Sequence, residues 1–368
     1  MRVAFLTPWD VEDPHAWSGI VKPAFDSLSA RADVVAVRAA PHHCLLDRAL
    51  TRLHGELRLG GYLPSFGVTS ARATTLDAIE RLNQVRPDTI LAFGASDALY
   101  ARTMPAPVVQ LCEATFTALL DYYPTHTGLS RLSRIQGHRV ERASVASTSG
   151  FLATSQWAAD QLSKDCAVPG SRVLVAPLGP GIDASQLPPS PEGDDAAKAG
   201  GPRVLAVARD WERKDGDRVL RVAHRLRELV PTTRLTVVGR ELDTDGWITS
   251  HARLSREDLA RAYQNHDLLF EFTRANTGGV VLADAASASL PVVANATGAV
   301  PSLVHDGVTG LLVAPEASDT QVAQQVADLL GSGRLAEMRR QSRSLYESAY
   351  NWQTWSDDAL AFLERHQR

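Results

Sequence analysis

The stretch Thr273–Pro301, TRANTGGVVLADAASASLPVVANATGAVP, decides how this chain is read. A polar loop runs into the pair Gly278-Gly279. A helix of small residues (VVLADAASA) follows, then a buried-strand run, PVVA, and a second turn at Gly298. Two glycines ahead of a helix let a ligand approach the backbone closely and expose the unpaired first-turn N–H groups, which makes an anion site. Asp284, about one turn into that helix, offers a carboxylate to a vicinal diol. Anion donors and a diol acceptor at this separation suit a nucleoside diphosphate with its ribose. The same residues also fit a plain βαβ unit whose glycines only permit tight packing.

Outward from this unit, short apolar runs alternate with helical or loop segments along the whole chain. The strand-like runs are VAFLT at 3–7, VVAV at 34–37, TILAF at 89–93, VVQL at 108–111, FLATS at 151–155 and VLVAP at 173–177. The alternation pauses at 184–202, ASQLPPSPEGDDAAKAGGP, a composition that cannot bury a core and reads as a linker. It resumes with VLAVA at 204–208, LTVV at 235–238, LLFEF at 268–272, PVVA at 291–294 and GLLV at 310–313. Alternation of this kind predicts α/β architecture with parallel sheets in two domains, 1–184 and 203–352, joined by 185–202.

Composition agrees and narrows the function. A chain of 368 residues, 44% hydrophobic and 22% charged, is long enough for two globular cores. A formal net charge of −4 disfavours nucleic acid as the main partner. No apolar run reaches the ~18 residues that span a bilayer, and the N-terminus enters a strand without a signal-like segment. Cys44, Cys112 and Cys166 are odd in number and far apart, fitting neither a disulfide framework nor a zinc motif, so a reducing cytoplasm is expected. Asp243-Thr244-Asp245 resembles a metal-binding triplet, but a surface loop is the preferred account and no metal is expected.

In open α/β sheets ligands sit at the carboxyl ends of the strands, so the loops there carry the candidates. The first loop runs from Pro8 to Gly19, with Trp9 and Trp17 toward a substrate and Ser18 as the N-cap candidate of a helix holding Pro23. After VVQL come Glu113, Phe116, Tyr122 and Tyr123, which either line an acceptor pocket or cap a helix and pack in the core. Arg131, Arg134, His138 and Arg142 form a basic stripe. Residues 1–184 hold as many Lys and Arg as Asp and Glu, so a solvated face is preferred, with at most peripheral membrane contact. Arg209 and Lys214, in ARDWERKDGD, are two cations five apart that can clamp a diphosphate. Gly239 adds a point of close backbone approach.

Taken in order, these segments resemble the retaining glycosyltransferases of family 4. Trp17-Ser18-Gly19 is similar to the family's glycine-containing loop over the donor phosphates, and Glu113-Ala114-Thr115-Phe116 to a subgroup motif that begins with Asp. Ser155–Ala159 and Pro177-Leu178-Gly179 resemble its last N-domain signposts. Arg209 and Lys214 match its diphosphate-binding pair, Asn276 through Asp284 its paired-Glu motif, and Thr297–Pro301 with DGVTGLLV its closing segment. The resemblance implies a GT-B fold, two Rossmann-like parallel-sheet domains facing across a cleft, with a C-terminal helix at about 353–368 packed back on the first domain. It implies transfer of a sugar, with retention, from a UDP-, GDP- or ADP-linked donor without a required cofactor or metal.

Catalytic roles are implied for Glu113, Arg209, Lys214 and Asn276. Donor contacts are implied for Gly19, Gly179, Arg209, Lys214, Gly239, Asn276, Thr277, Gly278, Gly279 and Asp284, and acceptor contacts for Trp17, Phe116, Tyr122 and Tyr123. Two positions depart from the family: Asn276 stands where the first Glu is usual, and Cys112-Glu113 where a His often lies. The departures motivate a pseudo-enzyme that holds a nucleotide sugar without transfer. A small metabolite or natural-product intermediate is the expected acceptor, a lipid-linked or polysaccharide acceptor the alternative. A nicotinamide dehydrogenase lacks support, because no Gly-x-Gly-x-x-Gly follows the first strand.

Overall fold

A computed structural model describes residues 1–100, 103–186, 200–243 and 246–367. The chain divides into two compact units, Met1–Pro177 with Trp352–Arg368, and Leu178–Asn351. Most of the linker expected at 185–202 lies outside the described residues, as do Thr244 and Asp245 of the acidic triplet.

The first unit runs β1 (Arg2–Thr7), α1 (Val21–Ser29), β2 (Asp33–Arg38), α2 (Leu45–Glu56), α3 (Val68–Val85), β3 (Thr89–Ala92) and β4 (Val108–Cys112). It continues with α4 (Phe116–Leu119), α5 (Arg131–Ala146), β5 (Gly150–Ala153), α6 (Gln156–Cys166) and β6 (Val173–Val175). The strands form one parallel sheet in the order β2-β1-β3-β4-β5-β6. Val3 to Leu6 and Val108 to Val109 are wholly buried, as a sheet covered on both faces requires of its central strands. Serine side chains start two of the helices: Ser130 accepts from the Ser133 N–H and Ser155 from the Ala158 N–H. Ser18 does not cap α1. It lies in a left-handed turn, Trp17 φ 43°, Ser18 φ 60°, Gly19 φ 82°, and α1 starts at Val21 without a side-chain cap.

The second unit runs β7 (Arg203–Val207), α7 (Gly216–Leu229), β8 (Arg234–Val238), β9 (Ile248–His251), α8 (Arg256–Gln264), β10 (Leu268–Glu271) and α9 (Val280–Ser287). Then come β11 (Val292–Asn295), α10 (Val300–Leu303), β12 (Gly310–Val313), α11 (Asp319–Gly331) and α12 (Leu335–Ser348). Its parallel sheet has the order β12-β11-β10-β7-β8-β9, which read from β9 is the doubly wound 3-2-1-4-5-6 order. The edge strand β9 was not among the expected runs. The expected boundary at 184 also moves, because residues 178–184 fold with the second unit. Ile182 N–H donates to Asp284 Oδ1 at 2.9 Å and Ala184 N–H to Ser287 Oγ at 3.0 Å. Gln264 Nε2 bonds the Ala184 carbonyl at 2.9 Å.

The chain then re-enters the first unit as α13 (Trp352–Arg365). Trp355, Ala359, Phe362 and Leu363 of α13 are buried, and Ser27 Oγ bonds Trp352 O and Ser356 Oγ at 2.7 and 2.8 Å.

Candidate functional site

Strand order locates the sites within each unit. It reverses between β1 and β3 in the first sheet and between β7 and β10 in the second, and the crevice at such a reversal is where doubly wound sheets take ligands. The loops after β7 and β10 carry Arg209, Lys214, Asn276, Gly278 and Gly279, so one end of the second sheet gathers most of the expected donor residues.

Within this cluster the charges are unequal. Arg209 is exposed and makes no hydrogen bond or ion pair with any described residue. Lys214 is enclosed, its side chain 11% exposed, and its Nζ is paired with Oε1 of Glu271, whose side chain is 1% exposed. Glu271 ends β10 and was not singled out from the sequence, although a lone carboxylate inside the apolar run LLFEF was the available signal. Asp215 caps α7 from a left-handed backbone (φ 48°) and holds the exposed Arg274 at 3.0 and 3.1 Å. Arg218, by contrast, is buried and bonds Asn295 Oδ1 and the carbonyls of Pro315 and Ala317, tying α7 to the loop after β12.

Asn276 is buried and closes the loop ahead of α9. Its Oδ1 accepts from the Gly279 N–H at 3.0 Å and its carbonyl from Ala299 N–H at 3.0 Å. Gly279 therefore spends its N–H within the protein. Its φ of 67° demands glycine, and a Cβ there would meet Leu303 Cδ1 at 2.2 Å. At Gly279 both the backbone angle and the packing call for glycine. The free donors of α9 are the N–H groups of Val280 and Val281, which have no acceptor among the described residues. Gly239 (φ 130°) serves its neighbours too, since a Cβ would fall 2.5 Å from Ala208 C and Arg209 N. Gly179 and Thr277 are buried and Gly278 half-buried.

Asp284 is buried. Its Oδ1 takes the Ile182 N–H, and the Tyr263 hydroxyl reaches Oδ2 at 3.4 Å. Burial pushes its carboxyl up to about 7, and the Ile182 and Gly181 N–H groups hold it back from going higher.

In the first unit the loop after β1 folds over the loop after β3. Trp9 and Trp17 stack with centroids 4.7 Å apart, and Trp17 meets Phe93 edge-on at 5.3 Å. The pair rests on Gly94 (φ 68°), where a Cβ would lie 2.5 Å from Trp9 and 2.8 Å from Trp17. Gly94 was missed, since a glycine inside AFGAS carries no motif. Trp17 is half-buried and Gly19 buried.

Phe116 is 3% exposed, packed against Phe66, His126 and His138, and its ring fills the space over Gly137. Its ring packs in the core, the alternative that its position after a strand left open. Its N–H donates to Glu141 Oε1, and burial pushes the Glu141 carboxyl up to about 7. Glu113, directly after β4, is half-buried, as are Tyr122 and Tyr123, with Tyr122 tilted against Trp157 at 5.9 Å.

Residues 201–332 match the sequence model of the family described as glycosyl transferases group 1. The chain is 32% identical over 187 residues to D-inositol 3-phosphate glycosyltransferase from Mycobacterium sp. strain JLS, covering 46% of this chain and 42% of that protein. It is 27% identical over 191 residues to the GDP-mannose-dependent alpha-(1-6)-phosphatidylinositol monomannoside mannosyltransferase of Mycolicibacterium smegmatis, covering 45% and 50%. The aligned part thus spans about half the length of these relatives. Among solved structures, sucrose-phosphate synthase from Thermosynechococcus elongatus superposes with a TM-score of 0.69 at 16% identity, covering 99% of this chain and 98% of that one. HepE from Anabaena in complex with UDP gives 0.69 at 16%, covering 99% and 100%. Over residues 201–332 the chain is thus similar to the group 1 glycosyl transferases, and it shares the GT-B fold of these structures.

Proposed function

We propose that the protein transfers a sugar from a nucleotide-diphosphate donor to a hydroxyl of a small acceptor, with retention at the anomeric carbon. The observation that carries this reading is the gathering of Arg209, Lys214, Asn276 and the first turn of α9 at the strand-order reversal of the second sheet. Arg209, unpaired among the described residues, and Lys214 meet the charge that grows on the leaving diphosphate, the step at which fixed cations help most. With that charge met by side chains, no metal is assigned a role. The N–H groups of Val280 and Val281 take a phosphate oxygen, and Asn276 and Thr277 face the sugar. The ribose hydroxyls fall to Asp284, whose Oδ2 takes the long bond from the Tyr263 hydroxyl at 3.4 Å. The leaving phosphate takes the acceptor proton on the same face, so no protein base is needed. The first unit binds the acceptor, with Trp17, Tyr122 and Tyr123 on its sugar or ring faces and Glu113 toward the donor sugar.

A second reading is a protein that holds the nucleotide sugar without transfer. It draws on Glu271, which already neutralises Lys214, and on Asn276, whose side-chain oxygen is spent on Gly279. Turnover of any donor with any acceptor disposes of it.

The test is a thermal-shift titration with UDP, GDP and ADP on the wild type and on Lys214→Ala/Glu271→Gln, a pair of changes that leaves no buried charge unmatched. One nucleotide at about 100 times its Kd should stabilise the wild type by about 2.7 kcal/mol. The double variant should lose most of that shift. No shift with any nucleotide removes the donor assignment, and with it the transferase reading.

A further inference from the structure

The crossover from β3 to β4 lacks a full helix. Among its described residues it holds a single 3₁₀ turn, Ser96–Leu99, whereas the crossovers before and after it carry α3 and α5. From β2 through β3 and β4 to β5 the chain moves in one direction along the sheet. Right-handed connections therefore put α3, the turn and α5 on one face. The short turn leaves a groove of about 810 Å³ between the two helices, a size that suits a small molecule. Helical spacing supplies its walls. Arg72, Leu76 and Ile79 share one side of α3, and Arg139, Ala143 and Ala146 one side of α5. Tyr100, just past the turn, lines the groove too, and its N–H donates to Thr75 Oγ1 of α3 at 2.9 Å.

The charges of this lining are all of one sign. Arg72 and Arg139 come from opposite walls, and neither forms a side-chain hydrogen bond or ion pair with any described residue. Two guanidiniums on one groove repel each other, and among the described residues no carboxylate lines it to relieve them. The rest of the lining is mostly apolar. Leu76 is 58% exposed and Ile79 half-buried, while Ala143 and Ala146 project only methyl groups from the other wall. An inorganic anion would satisfy the arginines and leave Leu76 in water. A neutral apolar ligand would cover Leu76 and leave the arginines opposed. One molecule that carries both an anion and an apolar body does both.

We propose that this groove binds a small organic phosphate with an apolar body, its phosphate held by Arg72 and Arg139 and its body on Leu76, Ile79 and Tyr100. A phosphate dianion matches two guanidiniums, each able to give it a forked pair of hydrogen bonds. None of the residues proposed for donor or acceptor lines the groove, so the site needs neither the donor assignment nor the transfer reaction. Arg139 lies off the basic stripe read from the sequence. Only the packing of α3 beside α5 brings the two cations to one place.

The test is calorimetric titration of the full-length protein with 1-naphthyl phosphate, and with 1-naphthol and inorganic phosphate, which each carry one part of the proposed ligand. 1-Naphthyl phosphate should bind saturably and roughly tenfold or more tighter than either part. Arg72→Gln/Arg139→Gln and, separately, Leu76→Glu should each weaken it roughly tenfold or more. Their melting midpoints should not move, because all three positions are exposed. Arg209→Gln should leave the affinity as it is. A lack of saturable binding overturns the proposal, as does affinity that the double arginine variant or Leu76→Glu retains. Inorganic phosphate binding as tightly as 1-naphthyl phosphate also overturns it, since the apolar lining would then take no part. Affinity lost in Arg209→Gln but kept in Arg72→Gln/Arg139→Gln would put the probe at the loop after β7, and overturns it too. Failure of the nucleotide titration would leave each of these outcomes as it stands.

Discussion

The ammonium of Lys214 has a partner before any ligand arrives. Glu271 is almost wholly buried at the end of β10, and a carboxylate there is tolerated because Lys214 stands against it. A diphosphate entering beside Lys214 meets a cation whose charge Glu271 already offsets, and Glu271 repels it. Glu271→Gln keeps the shape and the hydrogen-bond acceptor while removing the charge. It should tighten nucleotide binding roughly tenfold, about 1.4 kcal/mol, as read by calorimetric titration of the nucleotide that shifts the wild type. Unchanged or weaker affinity would separate Lys214 from the phosphates. Arg209 and Lys214 were legible in the sequence because two cations after a strand are a motif. Their different circumstances were not, since the partner of Lys214 lies 57 residues away and only sheet pairing brings β10 beside β7. Phe116 was ambiguous for the converse reason: an aromatic after a strand reads alike whether it faces a ligand or packs, as its ring does over Gly137 of α5.

At the scale of elements, α9 holds the segment 178–184 through Asp284 and Ser287. Burial raises the Asp284 carboxyl to about 7, well above its value in an unfolded chain, so between about pH 4 and 7 the folded state binds the extra proton. The unfolded chain is ionised there, and Asp284 makes the folded unit less stable as pH rises through that window. His266 acts in the opposite sense: burial lowers it to about 4, so its unfolded form takes up the proton first on acidification and stability grows as pH rises from about 4 to 6.5. The two effects mask each other in the wild type, and the difference between wild type and Asp284→Asn isolates one of them. Asn keeps an acceptor for the Ile182 N–H. Its stability advantage over the wild type should grow with pH, on the order of 1 kcal/mol per unit up to about 7, in melts from pH 4.5 to 8. A difference that is flat with pH would mean that Asp284 is ionised throughout. Element type was the most readable level of the sequence, because parallel strands buried on both faces appear as unbroken apolar runs. The exception, β9, is a four-residue edge strand, ITSH, whose half-exposed polar residues give no such run.

At the scale of the whole molecule, the chain completes its first unit last. Residues up to Pro177 and the segment from Trp352 share one body, so β1 to β6 close their core only when α13 has been made. The helix expected at about 353–368, and where it would pack, came from the family resemblance alone. Nothing in its own pattern names Phe93, Ser27 or Gly150 as its neighbours. In the structure Trp355 is 1% exposed and meets Phe93 edge-on at 5.9 Å, and Phe362 fills the space over Gly150. Truncating Trp355 to Ala opens a cavity in the first unit and should cost about 3–5 kcal/mol there. None of the residues proposed for nucleotide contact at the β7/β10 reversal belongs to that core. Calorimetry of Trp355→Ala should therefore split the melt into two transitions, the lower from the first unit. The nucleotide should raise only the upper one, because a ligand stabilises the unit whose folded state it binds. A single transition that the nucleotide raises as a whole would mean that the two units unfold as one cooperative body. The stability contributed by α13 would then be shared with the second unit.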